Sequence, residues 1–420
     1  MRVAYIFLTV FLTPIYAAYW FFRGIVNRSY WNRFGQRFGL GYPNLSDGCI
    51  WIHAVSVGEV QAAAPLIRRL MKRFTHYPVL VTTVTPTGAE RAKLLFGDTV
   101  DHSYIPFEAP NAVKQFFNCV NPCIALVMET EIWPNLYNEC GRRKIPLVLV
   151  SARISPKSVK RYQRFLPLFR ETLSHGIVIA AQSEKDEQRF LSLGAAAERT
   201  YVTGNIKFDI ELSADLISDG LELRRNFFKQ RKIWVAASTH DKEEYQILRA
   251  HRLIRNQFPD AVLVLIPRHP ERFPAVKSIL KTHGFNFISR TDKLTCDDQT
   301  EVLLVDTMGE VPLFFAAGNV AFVGGTLVPV GGHNLLEPAA LGVPIVTGPY
   351  VFNMQEIADM FNKSGASVVV KNAEELSLAV ADFFANSDVA EEVGKRGNRI
   401  VRSNRGALER LLNLLGPILD

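Results

Sequence analysis

Short apolar runs alternate with stretches of helical hydrophobic period along most of the chain. A first series of runs lies between residues 50 and 180, and a second lies between residues 233 and 347. Strand–helix alternation of this kind predicts parallel sheets with helices on both faces, so we predict an α/β fold with two doubly wound domains. The predicted strands are Ile50–Val55, Val79–Thr83, Ile124–Met128, Leu147–Ser151, Ile177–Ala180, Ile233–Ala237, Ala261–Ile266, Val302–Val305, Val320–Val323 and Pro344–Thr347.

A charged segment without strand pattern, residues 211–227, separates the two series and is the predicted linker. The length of 420 residues agrees with two domains of roughly 100–200 residues each. We predict a membrane anchor over 1–24, an N-terminal domain over 25–210 and a C-terminal domain over 211–420. The last helix can pack back on the N-terminal domain.

Residues 3–22 contain no charged side chain, and about 20 apolar residues suffice to cross a bilayer. A signal peptide is the alternative, but aromatic residues and Arg23 follow instead of a cleavage site, as at a membrane interface. Four arginines follow the segment and one precedes it, which predicts that the rest of the chain is cytoplasmic. Pro14, Thr9 and Thr13 leave open whether the segment spans the membrane or lies in it.

The net charge of +7 suits phosphorylated substrates, anionic lipid or nucleic acid. Nucleic acid is disfavoured because the basic residues are dispersed and no nucleic-acid motif is present. The cysteines form no CxxC pair, so a zinc site is not expected.

Ligands of open α/β sheets bind at the carboxyl ends of the strands. In the second series the Gly-rich stretch 323–349 follows a strand and leads into a predicted helix over Asn334–Leu341, whose N-terminus would suit a phosphate and whose Glu337 would suit ribose hydroxyls. The alternative is a loop whose glycines serve turn geometry only. Arg268 and the segment Met308–Glu310 also end strands, and each is equally compatible with a plain surface loop or a helix start.

In the first series Glu59 follows a strand where a carboxylate could accept a proton. The spacing Ser56-x-x-Glu59 is also a capping box, which by itself favours a structural role. Glu129 and Glu131 follow another strand, and Lys207 lies near the domain junction, where it could stabilise negative charge or be a solvated surface lysine.

Taken together, these segments resemble the 3-deoxy-D-manno-octulosonic acid (Kdo) transferases. The resemblance spans nearly the whole chain and rests on ordered motifs: WIHAVSVGEV at 51–60, TTVTPTG at 82–88, ETEIWPN at 129–135, SARIS at 151–155, GNIKFD at 204–209, PRHPERF at 267–273 and GGHNLLEPAALGVPIVTGP at 331–349. It implies the GT-B architecture of two facing Rossmann-like domains, of which the N-terminal one would bind the acceptor and the C-terminal one the CMP-sugar. It also implies inverting transfer of Kdo from CMP-Kdo to a lipid A precursor (lipid IVA) at the cytoplasmic face of the inner membrane. The basic clusters at 68–73, 142–144 and 157–164 are solvated faces that would attract anionic lipid beside the anchor.

The resemblance further implies roles for particular residues. Glu59 would be the general base, and Glu129 and Lys207 would help stabilise the transition state. The CMP contacts would be Pro267, Arg268, Met308, Gly309, Glu310, Asn334, Leu335, Leu336 and Glu337. No cofactor or metal is expected, because a helix dipole and basic side chains can stabilise a leaving monophosphate.

One departure from the family pattern is Ala237, where glycine is expected before Ser238-Thr239-His240. Two alternatives stay open at this point. A sugar-nucleotide epimerase shares the architecture but needs no anchor. A non-catalytic nucleotide-binding membrane protein would tolerate the loss of the carboxylates named above.

Overall fold

The computed structural model describes residues 1–45 and 48–419. Its chain divides into two compact units. Unit 1 comprises Met1–Asp209 with Asn404–Asp420, and unit 2 comprises Ile210–Ser403. The chain therefore passes from unit 1 to unit 2 near residue 210 and returns to unit 1 near residue 404.

Within the described residues, each unit contains one seven-stranded sheet, and the pairings are parallel. The order in unit 1 is β3-β2-β1-β4-β5-β6-β7, with strands β1 Cys49–His53, β2 Val79–Thr83, β3 Asp101–Tyr104, β4 Pro122–Met128, β5 Leu147–Ala152, β6 Val178–Ala181 and β7 Thr200–Val202. The order in unit 2 is β10-β11-β9-β8-β12-β13-β14, with strands β8 Ile233–Thr239, β9 Val262–Pro267, β10 Phe287–Ser289, β11 Val302–Leu304, β12 Val320–Val323, β13 Ile345–Thr347 and β14 Ser367–Val369.

Helices connect the strands and cover the sheets. In chain order they are α1 Arg2–Val26, α2 Val57–Arg73, α3 Pro86–Phe96, α4 Pro110–Val120, α5 Pro134–Arg143, α6 Pro156–Gln163, α7 Leu166–Leu173, α8 Glu184–Ser192, α9 Leu216–Leu223, α10 Glu243–Gln257, α11 Phe273–Thr282, α12 Val311–Ala317, α13 Leu336–Ala340, α14 Gln355–Lys363, α15 Ala373–Ala385, α16 Ser387–Asn404 and α17 Ala407–Leu419.

The central strands are apolar because helices cover both faces of each sheet. All five residues of β1 are buried, as are all six of β9. The residues of β1 alternate between two cores: Ile50 and Ile52 pack with α2 and α17, whereas Trp51 packs with the aromatic side chains of α4. The predicted α/β class with two doubly wound domains is confirmed.

The strand order reverses direction once in each sheet, between β1 and β4 in unit 1 and between β8 and β12 in unit 2. Open α/β sheets bind ligands beside such a reversal, at the carboxyl ends of the strands. The segments that follow β1 and β4, and those that follow β8 and β12, are therefore the first places to look for a site in each unit.

Two local expectations differ from the structure. The predicted linker 211–227 contains a helix, α9. Its Gly220 is buried and packs so closely on Ala316 of α12 that a Cβ at Gly220 would clash. The helix predicted over Asn334–Leu341 is shorter, covering Leu336–Ala340 only. The charged composition of 211–227 gave no sign of a helix, and the Gly-rich stretch gave no sign of where α13 begins. Both features depend on tertiary packing.

Among the described residues, α1 is the one helix long and apolar enough to cross a membrane. The final helix, α17, packs on the core of unit 1 through Leu408, Leu411, Leu412 and Leu415. Unit 1 is therefore built from both ends of the chain.

Candidate active site

Glu129 follows β4 directly and is held in an uncommon backbone conformation. Its φ is +54°, in the left-handed region that side chains other than glycine seldom adopt. Its N–H donates to the Val150 carbonyl of β5 at 2.9 Å. The chain thus leaves the sheet sharply, and the carboxylate, although nearly buried, lies at the end of the strand. Residues other than glycine adopt this conformation in turns and helix caps, and they also cluster at active sites.

Two basic side chains contact the Glu129 carboxylate. Nζ of Lys207 donates to Oε1 at 2.5 Å, and Nε of Arg153 donates to Oε2 at 2.8 Å. Burial alone raises the pKa of Glu129, but the two positive charges outweigh it and hold that pKa below its ordinary value. Glu129 is therefore an ionised carboxylate that accepts charge-assisted hydrogen bonds on both oxygens.

Lys207 is positioned by the turn that follows β7. Its N–H donates to the Asn205 side chain at 3.0 Å. The preceding N–H, of Ile206, donates to Oγ of Ser151 at 3.1 Å. Ser151 itself has a φ of +49° near the end of β5. The lysine is therefore held by the same two strand ends that carry Glu129 and Arg153.

The final helix fastens this turn from the other side. The Asp209 carboxylate accepts hydrogen bonds from the N–H groups of Gly406 and Leu408, both at 2.6 Å, at the N-terminus of α17. Nε of Arg410 donates to the Thr203 carbonyl at 2.8 Å. A side chain two residues after Lys207 thus caps a helix nearly 200 positions later in the chain.

Glu59 lies in the first turn of α2 and uses its carboxylate locally. Oε2 accepts the Val55 N–H at 2.9 Å, and Oε1 accepts the Ser56 hydroxyl at 3.4 Å. Ser56 is the N-cap of α2, but its hydroxyl donates to the Glu59 carboxylate and caps no backbone N–H of the helix. The carboxylate in turn accepts the N–H of Val55, the residue before the N-cap. The full reciprocal capping box suggested by the spacing is not formed between these residues.

The pKa of Glu59 is raised to about 7. Burial is the main cause, the Val55 N–H opposes it, the negative charges of Glu129 and Glu131 add to it, and Lys207 opposes it. Glu59 is therefore within electrostatic reach of the Glu129–Lys207 pair, and its carboxylate changes protonation near neutral pH. That is the property required of a general base.

The neighbouring titratable groups form hydrogen bonds within the fold. Glu131 accepts Nε1–H of Trp133 at 2.6 Å, and burial raises its pKa. His53 is buried in β1, with Nδ1 2.9 Å from the Thr82 hydroxyl, and burial lowers its pKa to about 4. His53 is therefore a neutral interior histidine.

In unit 2 the ends of β8 and β9 meet the Gly-rich loop that follows β12. The Arg268 N–H donates to the Thr239 carbonyl at 3.0 Å. Nε2 of His240 lies 2.7 Å from Nε2 of His333, and the two rings are stacked. Burial lowers the pKa of His240 to about 4 and that of His333 to about 3, and the charge of Arg268 adds to both shifts.

The first part of the Gly-rich loop binds a carboxylate of its own chain. Glu243 of α10 is fully buried and accepts the N–H groups of Gly325 at 2.7 Å, Thr326 at 3.0 Å and Leu327 at 2.9 Å. Gly324 lacks a Cβ that would lie 2.5 Å from the Ser238 carbonyl. These glycines and N–H groups therefore bring the loop against β8 and α10, and an external phosphate would have to bind elsewhere.

The predicted contacts at 334–337 lie in the second part of the loop. The Asn334 side chain accepts the Leu336 N–H at 3.0 Å and donates to Oε1 of Glu337 at 3.1 Å. Burial raises the pKa of Glu337, and Asn334 and the positive charge of Arg268 oppose that shift. The side chains of Leu335 and Leu336 are buried, so a ligand here would meet their backbone.

The other predicted contacts follow β9 and the adjacent strand β11. Pro267 ends β9 and is buried. Beyond β11, Met308 is 57% exposed and Gly309 has a φ of +88°. Glu310 is held by Arg290 at 2.8 Å, and although burial raises its pKa, the hydrogen bonds of Arg290 and Thr307 leave it below the ordinary value.

In unit 2 the predicted residues follow β9, β11 and β12, and the positive charge of Arg268 acts on Glu337. Glu59, Glu129 and Lys207 share the strand ends of unit 1, together with Arg153. Sequence reasoning missed the parts played by Asp209 and Glu243. Asp209 stands beside a predicted site residue, but its partner is distant in sequence, and Glu243 resembles any acidic residue in the first turn of a helix.

Comparison with known proteins adds the family. A family model described as 3-deoxy-D-manno-octulosonic-acid transferase (kdotransferase) matches residues 32–210. A second, described as glycosyl transferases group 1, matches residues 230–400. Similar proteins include the 3-deoxy-D-manno-octulosonic acid transferases of Haemophilus influenzae, 41% identical over 93% of this chain and 92% of that protein, and of Bordetella pertussis, 32% identical over 91% of this chain and 90% of that protein.

Among solved structures, the UDP-GlcNAc 2-epimerase from Neisseria meningitidis bound to UDP-GlcNAc has a TM-score of 0.54 at 14% identity, covering 87% of this chain and 99% of that chain. At this identity the likeness concerns the fold alone. Two Rossmann-like domains, matched over most of their length by glycosyltransferase family models, define an enzyme of the GT-B glycosyltransferase class. Within that class, the chain belongs to the 3-deoxy-D-manno-octulosonic acid (Kdo) transferase family.

Proposed function

We propose that this enzyme transfers Kdo from CMP-Kdo to a lipid A precursor, lipid IVA, during lipopolysaccharide biosynthesis, with inversion at the anomeric carbon. Membership in the Kdo transferase family supports the sugar. The observation that carries the mechanism is the pKa of Glu59, raised to about 7 by burial beside the Glu129–Lys207 pair.

In the proposed step, the Glu59 carboxylate takes the proton of an acceptor hydroxyl. The hydroxyl oxygen forms a bond to the anomeric carbon of Kdo, and the bond from that carbon to the phosphate oxygen breaks. CMP leaves with the electron pair as a monophosphate. A base on one face and a leaving group on the opposite face give inversion, and a base near its operating pH contributes roughly 10²–10⁴-fold.

Glu129 and Lys207 support that step electrostatically. The Glu129 carboxylate stabilises positive charge that develops at the anomeric carbon, and Lys207 stabilises the negative charge of the sugar acid or leaving group. Lys207 and Glu129 form an ion pair before the substrate binds. The free enzyme therefore avoids the large free-energy cost of burying an unpaired charge.

The donor nucleotide is proposed to bind in unit 2. Arg268 would contact the phosphate, the backbone around Met308–Glu310 would contact the base, and the segment Asn334–Glu337 would contact the ribose, with Pro267 shaping the site. A guanidinium suits a phosphate by its planar donor geometry. We propose that no metal is needed, so a chelator should leave the initial rate unchanged, and a rate restored only by added divalent cation would contradict this.

The enzyme is proposed to act at the cytoplasmic face of the inner membrane, where the amphiphilic acceptor resides. The helix α1 would hold it there, with anionic lipid attracted by the basic surface. Support comes from the apolar length of α1 and the net charge of +7.

The central experiment is Glu59→Gln, assayed with CMP-Kdo and lipid IVA in detergent. Glutamine retains an oxygen that can accept the Val55 N–H, but it cannot take a proton at neutral pH. We expect transfer to fall by roughly 10²–10⁴-fold with no loss of thermal stability. The matched control is Ser56→Ala, which removes the other partner of the carboxylate and leaves the base.

The same assay separates the alternatives. Near-normal transfer by a folded Glu59→Gln protein would leave Glu59 with a structural role only. Conversion of a nucleotide sugar without acceptor would indicate an epimerase. Equal, background-level transfer by the wild type and every carboxylate variant would indicate a non-catalytic binding protein.

A further inference from the structure

The helix α1 presents two opposite faces. Residues at helical spacing on one face are exposed and apolar: Val3 67%, Phe7 72%, Phe11 74%, Ile15 59% and Phe22 64%. No charged side chain interrupts this stripe. The opposite face, which carries Arg2, Tyr5, Thr9, Tyr16 and Trp20, contacts unit 1. An exposed apolar stripe of this length on one side of a helix marks an interaction surface.

Contacts along the first half of α1 are polar. Arg2 pairs with Glu171 of α7 at 3.2 Å. The Tyr5 hydroxyl donates to Oε2 of Glu108 at 2.6 Å. That carboxylate is itself buried and accepts the N–H groups at the start of α5. The Asn135 side chain donates to the Thr9 hydroxyl at 3.4 Å.

Aromatic contacts continue along the second half. The Tyr16 ring stacks on Phe107 with centroids 4.1 Å apart. The Trp20 ring lies 3.9 Å from the guanidinium carbon of the buried Arg37. Contacts with unit 1 therefore extend from residue 2 to residue 20, about 27 Å at 1.5 Å per residue.

A helix that spanned a bilayer could not keep these contacts. The hydrocarbon core is about 30 Å thick, so the whole contact length would lie within it. Glu108, Asn135 and Glu171 would then be carried into hydrocarbon together with the backbone of unit 1, which lipid does not tolerate. In the alternative, spanning would break every contact from Arg2 to Trp20.

We propose that α1 lies in the plane of the membrane surface, with Val3, Phe7, Phe11, Ile15 and Phe22 facing the lipid and the opposite face fixed to unit 1. The occupant of the apolar stripe is an anionic lipid bilayer. Charge complementarity supports this choice, because exposed Arg23 and Arg28 adjoin the C-terminal end of the stripe. Near the other end, α7 continues from α6, which carries exposed Lys157, Lys160 and Arg161.

This geometry differs from a flexible tether. An interfacial helix buries its apolar face about 5–10 Å into the headgroup boundary. Because α1 is fastened to α5 and α7, unit 1 as a whole is held at a fixed orientation to that boundary. The inference rests on the membrane association proposed above and is independent of the transfer chemistry.

A cross-linking experiment separates the two placements of α1. Thr9→Cys combined with Asn135→Cys should form an oxidant-dependent cross-link in the full-length protein reconstituted in vesicles of phosphatidylethanolamine and phosphatidylglycerol. The matched control is Phe7→Cys with Asn135→Cys, on the opposite face at nearly the same depth, which should not cross-link. Absence of the Thr9–Asn135 cross-link in vesicles, with its formation in detergent, would show that α1 leaves unit 1 to span the bilayer and would overturn the proposal.

Vesicle flotation tests the occupant. The combined Phe7→Ser and Phe11→Ser variant should lose most binding to the anionic vesicles, whereas Leu378→Ser, at an exposed position of unit 2, should bind as the wild type does. Unchanged flotation of the double variant would overturn the proposal, as would a wild type that self-associates without binding vesicles. Neither readout requires turnover, so loss of transfer with both results intact would count against the proposed function alone.

Discussion

Nζ of Lys207 lies 2.5 Å from Oε1 of Glu129 and joins two segments 78 positions apart in the chain. One partner follows β4 with a left-handed φ, and the other follows β7 in a turn held by Ser151 and Asn205. The pair therefore depends on the sheet order, which sets β5 and β6 between them. Its position next to Glu59 makes it the electrostatic centre of the unit 1 site.

Replacing Lys207 by methionine should destabilise unit 1. The Glu129 carboxylate would stay nearly buried with Arg153 alone, so we expect a loss of about 1–3 kcal/mol at neutral pH. Because Lys207 and Arg153 depress the folded pKa of Glu129, the stabilisation is present above the unfolded pKa and is lost as the pH falls through the folded pKa. Urea unfolding should therefore show a difference between wild type and variant that shrinks in acid.

The control for that measurement is Lys185→Met, at an exposed position of α8 in the same unit. It removes the same charge without touching a buried carboxylate, and exposed charges contribute little. Equal losses for the two variants, or a difference that grows in acid, would mean that the Glu129–Lys207 pair does not stabilise the fold.

The rate of transfer should depend on the protonation of Glu59. With a pKa of about 7, the base form accumulates as the pH rises, so kcat should increase through that region and then level off. Glu131→Gln should move this rise to lower pH, because the negative charge of Glu131 helps to raise the pKa of Glu59. A pH–rate profile that is identical in Glu131→Gln and wild type would exclude this coupling.

The same shift has an opposite consequence for stability. Since the folded pKa of Glu59 is raised, the folded state binds a proton more tightly than the unfolded state does, and stability falls as the pH rises from the ordinary value toward 7. Glu59→Gln should remove this loss, so the variant should gain thermal stability relative to wild type above neutral pH. Melting temperatures of both proteins across the pH range give the test.

Asp209 should act on catalysis through Lys207. Asp209→Ala removes the acceptor of the Gly406 and Leu408 N–H groups, and loss of such a cap costs about 1–2 kcal/mol. We expect a lower kcat with little change in the KM for CMP-Kdo, because the turn that carries Lys207 loosens while unit 2 is untouched. Asp209→Asn retains one acceptor oxygen, so it should recover part of the stability and part of the kcat that Asp209→Ala loses. Lower stability with an unchanged kcat in Asp209→Ala would mean that Asp209 has a structural role only.

The central strands could be predicted from the sequence because they are buried on both faces and therefore read as apolar runs. The strands that were missed are β3, β7, β10 and β14, which are the four edges of the two sheets. Each is three or four residues long and partly exposed. An edge strand has a neighbour on one side only, so its composition carries a weaker signal.

The sequence also did not distinguish the exposed face of α1 from the face that contacts unit 1. Tyr5, Thr9 and Tyr16 are uncharged, and the apolar residues around them keep the mean hydropathy of the segment high, although Tyr5 and Thr9 use their hydroxyl groups in hydrogen bonds to unit 1. The role of Glu243 was also beyond prediction, because its partners lie more than 80 positions away in the Gly-rich loop. The backbone N–H groups of a loop can bind a ligand only where they do not already donate hydrogen bonds within the protein, as those of Gly325, Thr326 and Leu327 do to Glu243.

Replacing Glu243 tests whether the Gly-rich loop contributes to donor binding. Glu243→Gln replaces one acceptor oxygen by an NH₂ group, which would face N–H donors of the loop instead of accepting from them. Buried donors would be left without partners, at a cost of about 1–3 kcal/mol, and the loop after β12 should loosen against α10. If the segment Asn334–Glu337 binds CMP-Kdo, its displacement should raise the KM for CMP-Kdo several-fold while the KM for the lipid acceptor stays unchanged. A rise in the acceptor KM alone would place the donor nucleotide away from this loop.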